Sequence, residues 1–338
     1  MIDHVAMAEA YEQGRFYALQ LEVNDACEQA CAYCYMNALP DVQSMLADDE
    51  VLGVLSDAAD AGFSAIEWLG GEPLDRPGVF GLMERARELG LRNNVWTGGL
   101  PLARPGVAER VAELAEGALV SVHLSTLDRA LYERLHPGRS AGDIGTILAG
   151  VERLLALGYP SGRMLDSVTF TGAQPAEDLI ATIDAFEGRY GIRTSLNVYH
   201  TYLRPGYDPG ELARFVPQPE EVRRVHRRYE RQWGGPMPMN CVDKRYCSTT
   251  VAVLNDGAVT SCATIRDGVG GIREEGGLAA VLGARREALT LAALKDAANL
   301  PEGCAECGMS EDCWGCRSRA YAAGRGVLGK DPRCYRSG

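Results

Sequence analysis

Short apolar runs alternate with amphipathic stretches over residues 15–205. The apolar runs are rich in β-branched and aromatic residues, and they predict strands at 16–23, 64–70, 92–98, 118–125, 165–172 and 193–200. Between them, apolar residues recur at i, i+3 and i+4 spacing and the stretches end at glycine, which is typical of amphipathic helices. Strands that alternate with helices predict a parallel sheet, either open and doubly wound or barrel-like. Both architectures bind ligands at the carboxyl ends of their strands.

The pattern changes after residue 205. Residues 206–240 are predicted to form a connector, in which segments rich in proline and glycine flank a helix with the sequence EEVRRVHRRYERQW. Spacing by four residues places three arginines on one face of this helix: Arg223, Arg227 and Arg231. Two interpretations stay open, a solvated face paired with Glu220 and Glu221, or a dock for an acidic peptide or a flavodoxin-like protein.

Residues 241–338 are predicted to form a third region. It contains eight of the eleven cysteines, together with many glycines and short strand signals. The segment 253–261, VLNDGAVTS, predicts a hairpin with an Asn-Asp-Gly turn.

Charge and hydropathy exclude several classes of protein. A formal net charge of −12 and a pI of about 5.0 argue against a nucleic-acid binder that is held by phosphate contacts. The N-terminal residues lack a basic segment followed by an apolar run, and no apolar stretch approaches the length of a membrane span. We therefore expect a cytoplasmic protein with no membrane or nucleic-acid partner.

The spacing of the cysteines then indicates metal sites. Disulfides are disfavoured in a reducing compartment, which leaves metal ligation, catalysis or scattered buried thiols. The first three cysteines are spaced Cys27-x3-Cys31-x2-Cys34, and the later eight suffice for two complete four-thiolate sites. Thiolates select zinc or iron–sulfur clusters, and a site with three thiolates leaves one coordination position open. A zinc-stabilised, non-catalytic interaction protein remains the alternative to an enzyme.

The first cysteine group resembles the signature of radical S-adenosylmethionine (SAM) enzymes. Its three cysteines follow the first strand, and the aromatic Tyr33 precedes the last of them. The resemblance implies a [4Fe–4S] cluster on Cys27, Cys31 and Cys34, with SAM as the ligand of the fourth iron. A second motif closes the second strand and resembles the segment of that family that contacts SAM: Gly70, Gly71, Glu72 and Pro73.

Further contacts to SAM are implied on the third and fourth strands. The segment SVHLSTLD resembles the ribose-contacting segment of the family, with His123 where serine is usual and Ser125 where aspartate is usual. Ser125 is therefore a candidate ribose contact, and His123 a candidate contact to SAM or substrate. The third-strand motif departs from the usual Thr-Asn-Gly and reads Thr97-Gly98-Gly99.

The C-terminal cysteines resemble the SPASM domain, which carries two auxiliary clusters. By this resemblance one auxiliary [4Fe–4S] cluster is held by Cys241, Cys247, Cys262 and Cys316, and the other by Cys304, Cys307, Cys313 and Cys334. The implied fold is a partial (β/α)6 TIM-like barrel over 1–205, the connector with its Arg-rich helix over 206–240, and a small cysteine-rich α+β SPASM domain over 241–338.

The resemblance also implies a reaction. A low-potential donor of the flavodoxin or ferredoxin type would supply an electron, SAM would be cleaved to a 5′-deoxyadenosyl radical, and the radical would take a hydrogen atom from the substrate. The product would be a dehydrogenated or crosslinked peptide of ribosomal origin, or a small natural-product metabolite, and both substrate classes stay open. Ala263 stands where sulfatase-maturing relatives carry aspartate, which disfavours formylglycine formation.

Several residues are candidates for catalysis or for the substrate pocket. Tyr199, His200 and Tyr202 cluster at the end of the sixth predicted strand, where a barrel-like fold would place its substrate. Asp243 and Asp267 lie near cysteines of the third region and are further candidates for the substrate pocket, where such an oxidation often needs a general base. Tyr199, His200 and Asp267 are our catalytic candidates.

Overall fold

The central feature of the protein is one nine-stranded sheet. A computed structural model describes residues 3–199, 209–239, 241–274 and 276–336. The strands are β1 Ala18–Glu22, β2 Ala65–Leu69, β3 Arg92–Thr97, β4 Val120–Val122, β5 Met164–Phe170, β6 Arg193–Val198, β7 Thr250–Val253, β8 Ala258–Thr260 and β9 Gly270–Gly271. Their order is β6-β5-β4-β3-β2-β1-β7-β8-β9, and β1 to β6 pair in parallel. This is the parallel α/β architecture of a partial barrel.

Helices connect the parallel strands and cover their outer face, and further helices precede β1 or follow β6. They are α1 His4–Glu12, α2 Asp48–Asp60, α3 Val79–Glu88, α4 Val107–Leu114, α5 Arg129–Leu135, α6 Gly142–Ala156, α7 Ala176–Tyr190, α8 Pro209–Ala213, α9 Pro219–Trp233, α10 Lys244–Thr249, α11 Leu278–Ala284, α12 Arg286–Leu289 and α13 Arg317–Ala320. A π-helical turn, Tyr321–Arg325, follows α13. The main core lies between the outer face of the sheet and the helices, and it buries aliphatic side chains from both layers.

The inner face of the sheet is more polar. Glu67 on β2 is fully buried there and accepts hydrogen bonds from Gln20 Nε2 of β1 (3.2 Å) and from the Tyr246 hydroxyl of α10. Burial raises the pKa of Glu67 to about 7. These contacts join the barrel to the C-terminal region, because Tyr246 belongs to the latter.

The C-terminal region also extends the sheet. Its first strand, β7, pairs in parallel with β1, and β8 and β9 add antiparallel strands beyond it. Gly257 closes the β7–β8 hairpin at a φ of +90°, a conformation that glycine adopts without steric cost. The predicted hairpin is therefore present, and it is continuous with the barrel sheet.

Helix α9 covers the other edge of the sheet. The Trp233 indole donates to the Thr194 carbonyl of β6 (3.0 Å), and Gln232 Oε1 accepts from the Thr194 amide (2.8 Å). Arg228 binds Asp184 and Glu187 of α7, which holds the helix in place. An edge strand needs such partners because its backbone groups are otherwise unpaired.

The six strands predicted over residues 16–200 are all present. The largest difference is β4, which spans three residues where 118–125 was predicted, because the chain leaves the ladder near His123. The predicted boundaries of the three regions remain predictions.

Candidate active site and cysteine clusters

The first cysteine group lies in the loop after β1. Cys27 is buried, and its amide donates to the Leu39 carbonyl at 2.7 Å. The amide of Cys34 donates to the Cys31 carbonyl at 3.0 Å, which closes a tight turn. Burial, reinforced by neighbouring negative groups, raises the pKa of Cys27 to about 12 and that of Cys31 well above its ordinary value. Binding a metal would therefore release protons from these thiols.

Two glycines allow this loop to lie against the end of β2. The Gly71 amide donates to the Asn24 carbonyl (2.9 Å), and the Glu72 amide donates to the Ala26 carbonyl (2.6 Å). A Cβ at Gly71 would fall 2.1 Å from the Ala26 oxygen, and Gly70 has a φ of +145°. Only glycine permits this close approach of the two backbones.

The Glu72 carboxylate connects β2 to the end of β3. One oxygen accepts from the Leu74 amide (3.0 Å), and the other accepts from the Thr97 hydroxyl (2.8 Å) and the Gly98 amide (2.7 Å). Burial nevertheless raises the pKa of Glu72 to about 7. The Glu72 side chain therefore holds the segment after β2 against the end of β3. Pro73 begins the short 3₁₀ helix that follows.

Tyr33, His123 and Ser125 form one hydrogen-bonded group beside the cysteines. The Tyr33 hydroxyl lies 2.9 Å from His123 Nε2 and 3.4 Å from Ser125 Oγ. His123 Nδ1 lies 2.6 Å from the Ser167 carbonyl, so this nitrogen carries the proton and Nε2 accepts. Burial lowers the pKa of His123, which favours the neutral ring. The Ser125 hydroxyl also accepts from the Thr169 amide at 3.1 Å.

Two further polar side chains at this site were not predicted. Gln29 donates from Nε2 to the Gly98 and His123 carbonyls, each at 3.2 Å, and so joins the cysteine loop to β3 and β4. His136 forms a group with Cys31 and His123, in which one potential ligand atom of each residue lies within 4.8 Å of the others. The Nε2 atom of His136 has no hydrogen-bond partner among the described residues. Gln29 could have been suspected from its place between two cysteines. No local signal pointed to His136.

The eight later cysteines form two groups of four. The pKa of Cys241 is raised by burial and by the negative charges of three neighbours, Cys247, Cys262 and Cys316. The other four cysteines line a small cavity: Cys304, Cys307, Cys313 and Cys334. The structure therefore brings together the same two sets that the resemblance implied. Sets of four thiols suit iron–sulfur clusters or zinc.

A buried ion pair holds the two groups together. Arg319 and Asp331 have side chains 4% and 1% exposed, and their closest N–O distance is 2.7 Å. Asp331 Oδ2 also accepts from the Cys316 amide at 2.9 Å. Burial opposes ionisation of Asp331, but the Arg319 guanidinium and the amide donors hold its pKa below the ordinary value. Asp331 thus connects Cys316 of one group to the segment that leads to Cys334 of the other.

The sequence of the barrel matches a known protein family. Residues 21–186 match the family model described as the Radical SAM superfamily. This part of the chain is a radical SAM domain.

Relatives of this radical SAM protein agree with the fold. A curated relative, the probable GTP 3′,8-cyclase of Methanopyrus kandleri, is 25% identical over 260 residues, which cover 72% of this chain and 80% of that protein. The Streptococcus suis SuiB structure with S-adenosylmethionine is 16% identical with a TM-score of 0.68, and the match covers 98% of this chain and 81% of SuiB. The anSMEcpe structure with AdoMet is 15% identical with a TM-score of 0.66, covering 95% and 93%. These two likenesses show the fold.

The residues considered for catalysis or for the substrate pocket of this radical SAM protein lie in different settings. Tyr199 is fully buried, with its ring 5.8 Å from that of Phe215. Asp267 is exposed and accepts a hydrogen bond from Tyr321. Asp243 accepts from the Tyr246 amide (2.9 Å) as the N-cap of α10. The other two candidates, His200 and Tyr202, lie outside the described residues.

The arginine stripe on α9 is exposed. The predicted partner Glu221 pairs with Arg224 at 3.0 Å, outside the stripe. The guanidinium carbon of Arg223 lies 5.7 Å from the centre of the Tyr335 ring, and Tyr335 follows Cys334 directly. The stripe therefore adjoins one of the cysteine groups.

No helix in the described part of the chain is both long and apolar enough to cross a membrane.

Proposed function

We propose that this radical SAM protein is an oxidoreductase of the SPASM type that carries three [4Fe–4S] clusters and oxidises a ribosomally made peptide. The observation that carries the proposal is the grouping of all eleven cysteines into one set of three and two sets of four. The set of three lies at the carboxyl ends of the parallel strands, where enzymes of this architecture bind ligands.

The first site would be held by Cys27, Cys31 and Cys34. A [4Fe–4S] cluster bound there with SAM would supply a 5′-deoxyadenosyl radical for the removal of a hydrogen atom from the substrate. The chain's own residues prepare the site: Gly70 and Gly71 allow the two loops to meet, and Glu72 fixes the end of β3 through the Gly98 amide.

The residues around the site would exclude water and orient the reactants. Tyr33 is buried and its hydroxyl is bound to His123 and Ser125, so these side chains form a rigid polar wall. Neutral His123 donates from Nδ1 to Ser167, which fixes its ring plane. Fixed polar groups stabilise a reacting geometry without reorganisation.

The two sets of four thiols would hold auxiliary clusters. Each set supplies four thiolate ligands, so a cluster held by either set would have no open coordination position for substrate. A cluster held by either set would supply an electron acceptor for the oxidation of the substrate. A low-potential protein of the flavodoxin or ferredoxin type would supply the first electron.

A peptide substrate is favoured by a structural likeness. SuiB has been solved with its precursor peptide SuiA, and that structure matches 98% of this chain with a TM-score of 0.64. A small-molecule substrate is the second candidate, because the curated relative at 25% identity is a probable GTP cyclase. Loss of hydrogen from a candidate peptide, measured by intact mass, would separate the two classes.

The proposal is tested by metal content and by cleavage of SAM. Anaerobically reconstituted protein is expected to hold about twelve irons per chain, four per cluster, and to form 5′-deoxyadenosine with a chemical reductant. The Cys31→Ala variant should lose that activity and about four irons, whereas Thr146→Ala, at an exposed position of α6, should keep both. Stoichiometric zinc with little sulfide, or unchanged activity in Cys31→Ala, would contradict the proposal.

A further inference from the structure

Helix α9 has two chemically different faces. Its inner face is apolar and packs Val222, Val225 and Tyr229 into a core that it shares with β5 and β6. Its outer face carries the arginine stripe, whose three side chains are exposed. Because residues four apart lie on the same side of a helix, the stripe points away from the sheet. It therefore faces solvent and not the interior of the barrel.

The charges of the stripe are not neutralised by neighbouring side chains. The other two arginines of α9, Arg224 and Arg228, each bind two carboxylates. By contrast, the arginines of the stripe form no ion pair within the part of the chain that the structure describes: Arg223, Arg227 and Arg231. In a chain with a net charge of −12, three such guanidinium groups form a local cationic surface.

Tyr335 connects the stripe to four thiols that we call the second auxiliary set: Cys304, Cys307, Cys313 and Cys334. The guanidinium carbon of Arg223 lies 5.7 Å from the centre of the Tyr335 ring, and Tyr335 follows Cys334 directly. Cys313, Cys334 and Tyr335 all pack against the core to which the inner face of α9 belongs. Since a helix with its side chains is about 10–12 Å wide, the stripe lies within about one helix diameter of this set.

The charge around the second auxiliary set differs between its two halves. The segment near Cys304 exposes two carboxylates, Glu302 and Glu306. The half near Cys334 adjoins the arginine stripe instead. Like charges disfavour contact and opposite charges steer it, so an acidic protein that approaches this set would be directed to the side of α9.

We propose that the arginine stripe docks an acidic protein of the flavodoxin type, with its flavin towards the second auxiliary set. The unpaired cationic charge selects an acidic partner, and the adjoining thiols select a redox protein. A peptide substrate does not suit this position, because the stripe faces away from the barrel interior that holds the proposed active site. The inference rests on the proposed function, since it locates the electron donor of that same reaction.

Binding of a bacterial flavodoxin tests the dock. It is titrated by calorimetry into the anaerobically reconstituted protein and into a stripe variant that carries Arg223→Glu, Arg227→Glu and Arg231→Glu. The stripe variant should bind about tenfold more weakly at low salt, and the difference should shrink at high salt. The control reverses three exposed arginines on other helices and should bind as the parent protein does: Arg85→Glu, Arg87→Glu and Arg153→Glu. Iron content and circular dichroism show whether each variant is folded.

Electron transfer tests the position of the dock. A variant with Cys27→Ala, Cys31→Ala and Cys34→Ala lacks the first site and keeps both sets of four thiols. Flavodoxin hydroquinone should still reduce this variant, in a step in which one flavin loses one electron to become the semiquinone and one cluster gains that electron. Adding the three stripe substitutions should slow this step by about the same factor as binding, as measured by the absorbance of the semiquinone.

Four outcomes would overturn the inference. They are no binding of flavodoxin to the parent protein, equal binding by the stripe variant and its control, equal affinity of the parent protein for flavodoxin and for a glutamate polymer without flavin, and no electron transfer to the variant that lacks the first site. Formation of 5′-deoxyadenosine with a chemical reductant is measured separately. Its absence would count against the proposed function, whereas its presence together with any of the four outcomes would count against the dock alone.

Discussion

The barrel site and the C-terminal sites hold their cysteines in different ways. Cys27, Cys31 and Cys34 lie in one short loop that is fixed by backbone contacts to the end of β2. The two sets of four combine distant segments of residues 241–338, which a buried ion pair between Arg319 and Asp331 connects. The first site thus depends on close backbone approach, and the others depend on charge pairing.

This difference matches the tasks that we propose. Three thiols beside polar, neutral groups leave room for a cosubstrate, so the surrounding backbone must be placed accurately. Four thiols complete a coordination sphere, and their surroundings need only hold the segments together. The contrast predicts that the same kind of substitution has different consequences in the two regions.

The largest effect is expected from Gly71→Ala. Its Cβ would meet the Ala26 oxygen at 2.1 Å, so the cysteine loop must move away from β2. A misplacement of about 1 Å can lower a rate about 100-fold, and we expect a loss of that order in 5′-deoxyadenosine formation. The control is Gly81→Ala in α3, where nothing lies within 4 Å of the new Cβ. Equal activity of the two variants would break the comparison.

Arg319→Met should destabilise the C-terminal region by about 3–5 kcal/mol, because it leaves the Asp331 carboxylate buried without its partner. We expect the free energy of unfolding in urea to fall accordingly and iron to be lost from the auxiliary sites, while Cys27, Cys31 and Cys34 keep theirs. Arg153→Met removes an exposed partner of Glu109 and should leave the free energy of unfolding nearly unchanged. Loss of iron from all three sites in Arg319→Met would show that the regions are not independent.

Glu67→Gln should change how stability depends on pH. Burial raises the pKa of folded Glu67 from 4.5 to about 7, so the group favours folding most below pH 4.5 and this contribution is lost as the pH rises to 7. The glutamine variant lacks that loss. Relative to the parent protein, it should gain about 1 kcal/mol between pH 6 and 8 and then stay level. The readout is urea unfolding at several pH values, with the exposed Glu88→Gln as a flat control.

The smallest effect is expected from charge reversal on α9. Arg227→Glu and Arg231→Glu should leave stability unchanged but slow reduction by a bacterial flavodoxin about threefold at low salt, because docking of acidic proteins depends on charge. The difference should vanish at high salt. Arg87→Glu on α3, which is also exposed, should have no effect on this rate. A rate unaffected by the α9 variants would indicate a solvated face.

The periodic part of the fold could be predicted from the sequence, and the contacts across it could not. Alternation of apolar residues fixes a strand and its faces, so β1 to β6 were found. The pairing of β7 with β1 joins residues more than two hundred positions apart, and no local pattern encodes it. The cysteine sets followed from spacing and family resemblance. The neighbouring His136 did not, since it reaches Cys31 only through the packing of α5.

The way α9 covers β6 has a practical consequence for anyone dividing this chain. A fragment ending at residue 205 would lack Trp233 and Gln232, the side chains that occupy the backbone groups of Thr194. Its uncovered edge could then pair with another copy, which is a common route to aggregation. Shortened or chimeric versions of this protein should therefore retain the connector helix together with the barrel.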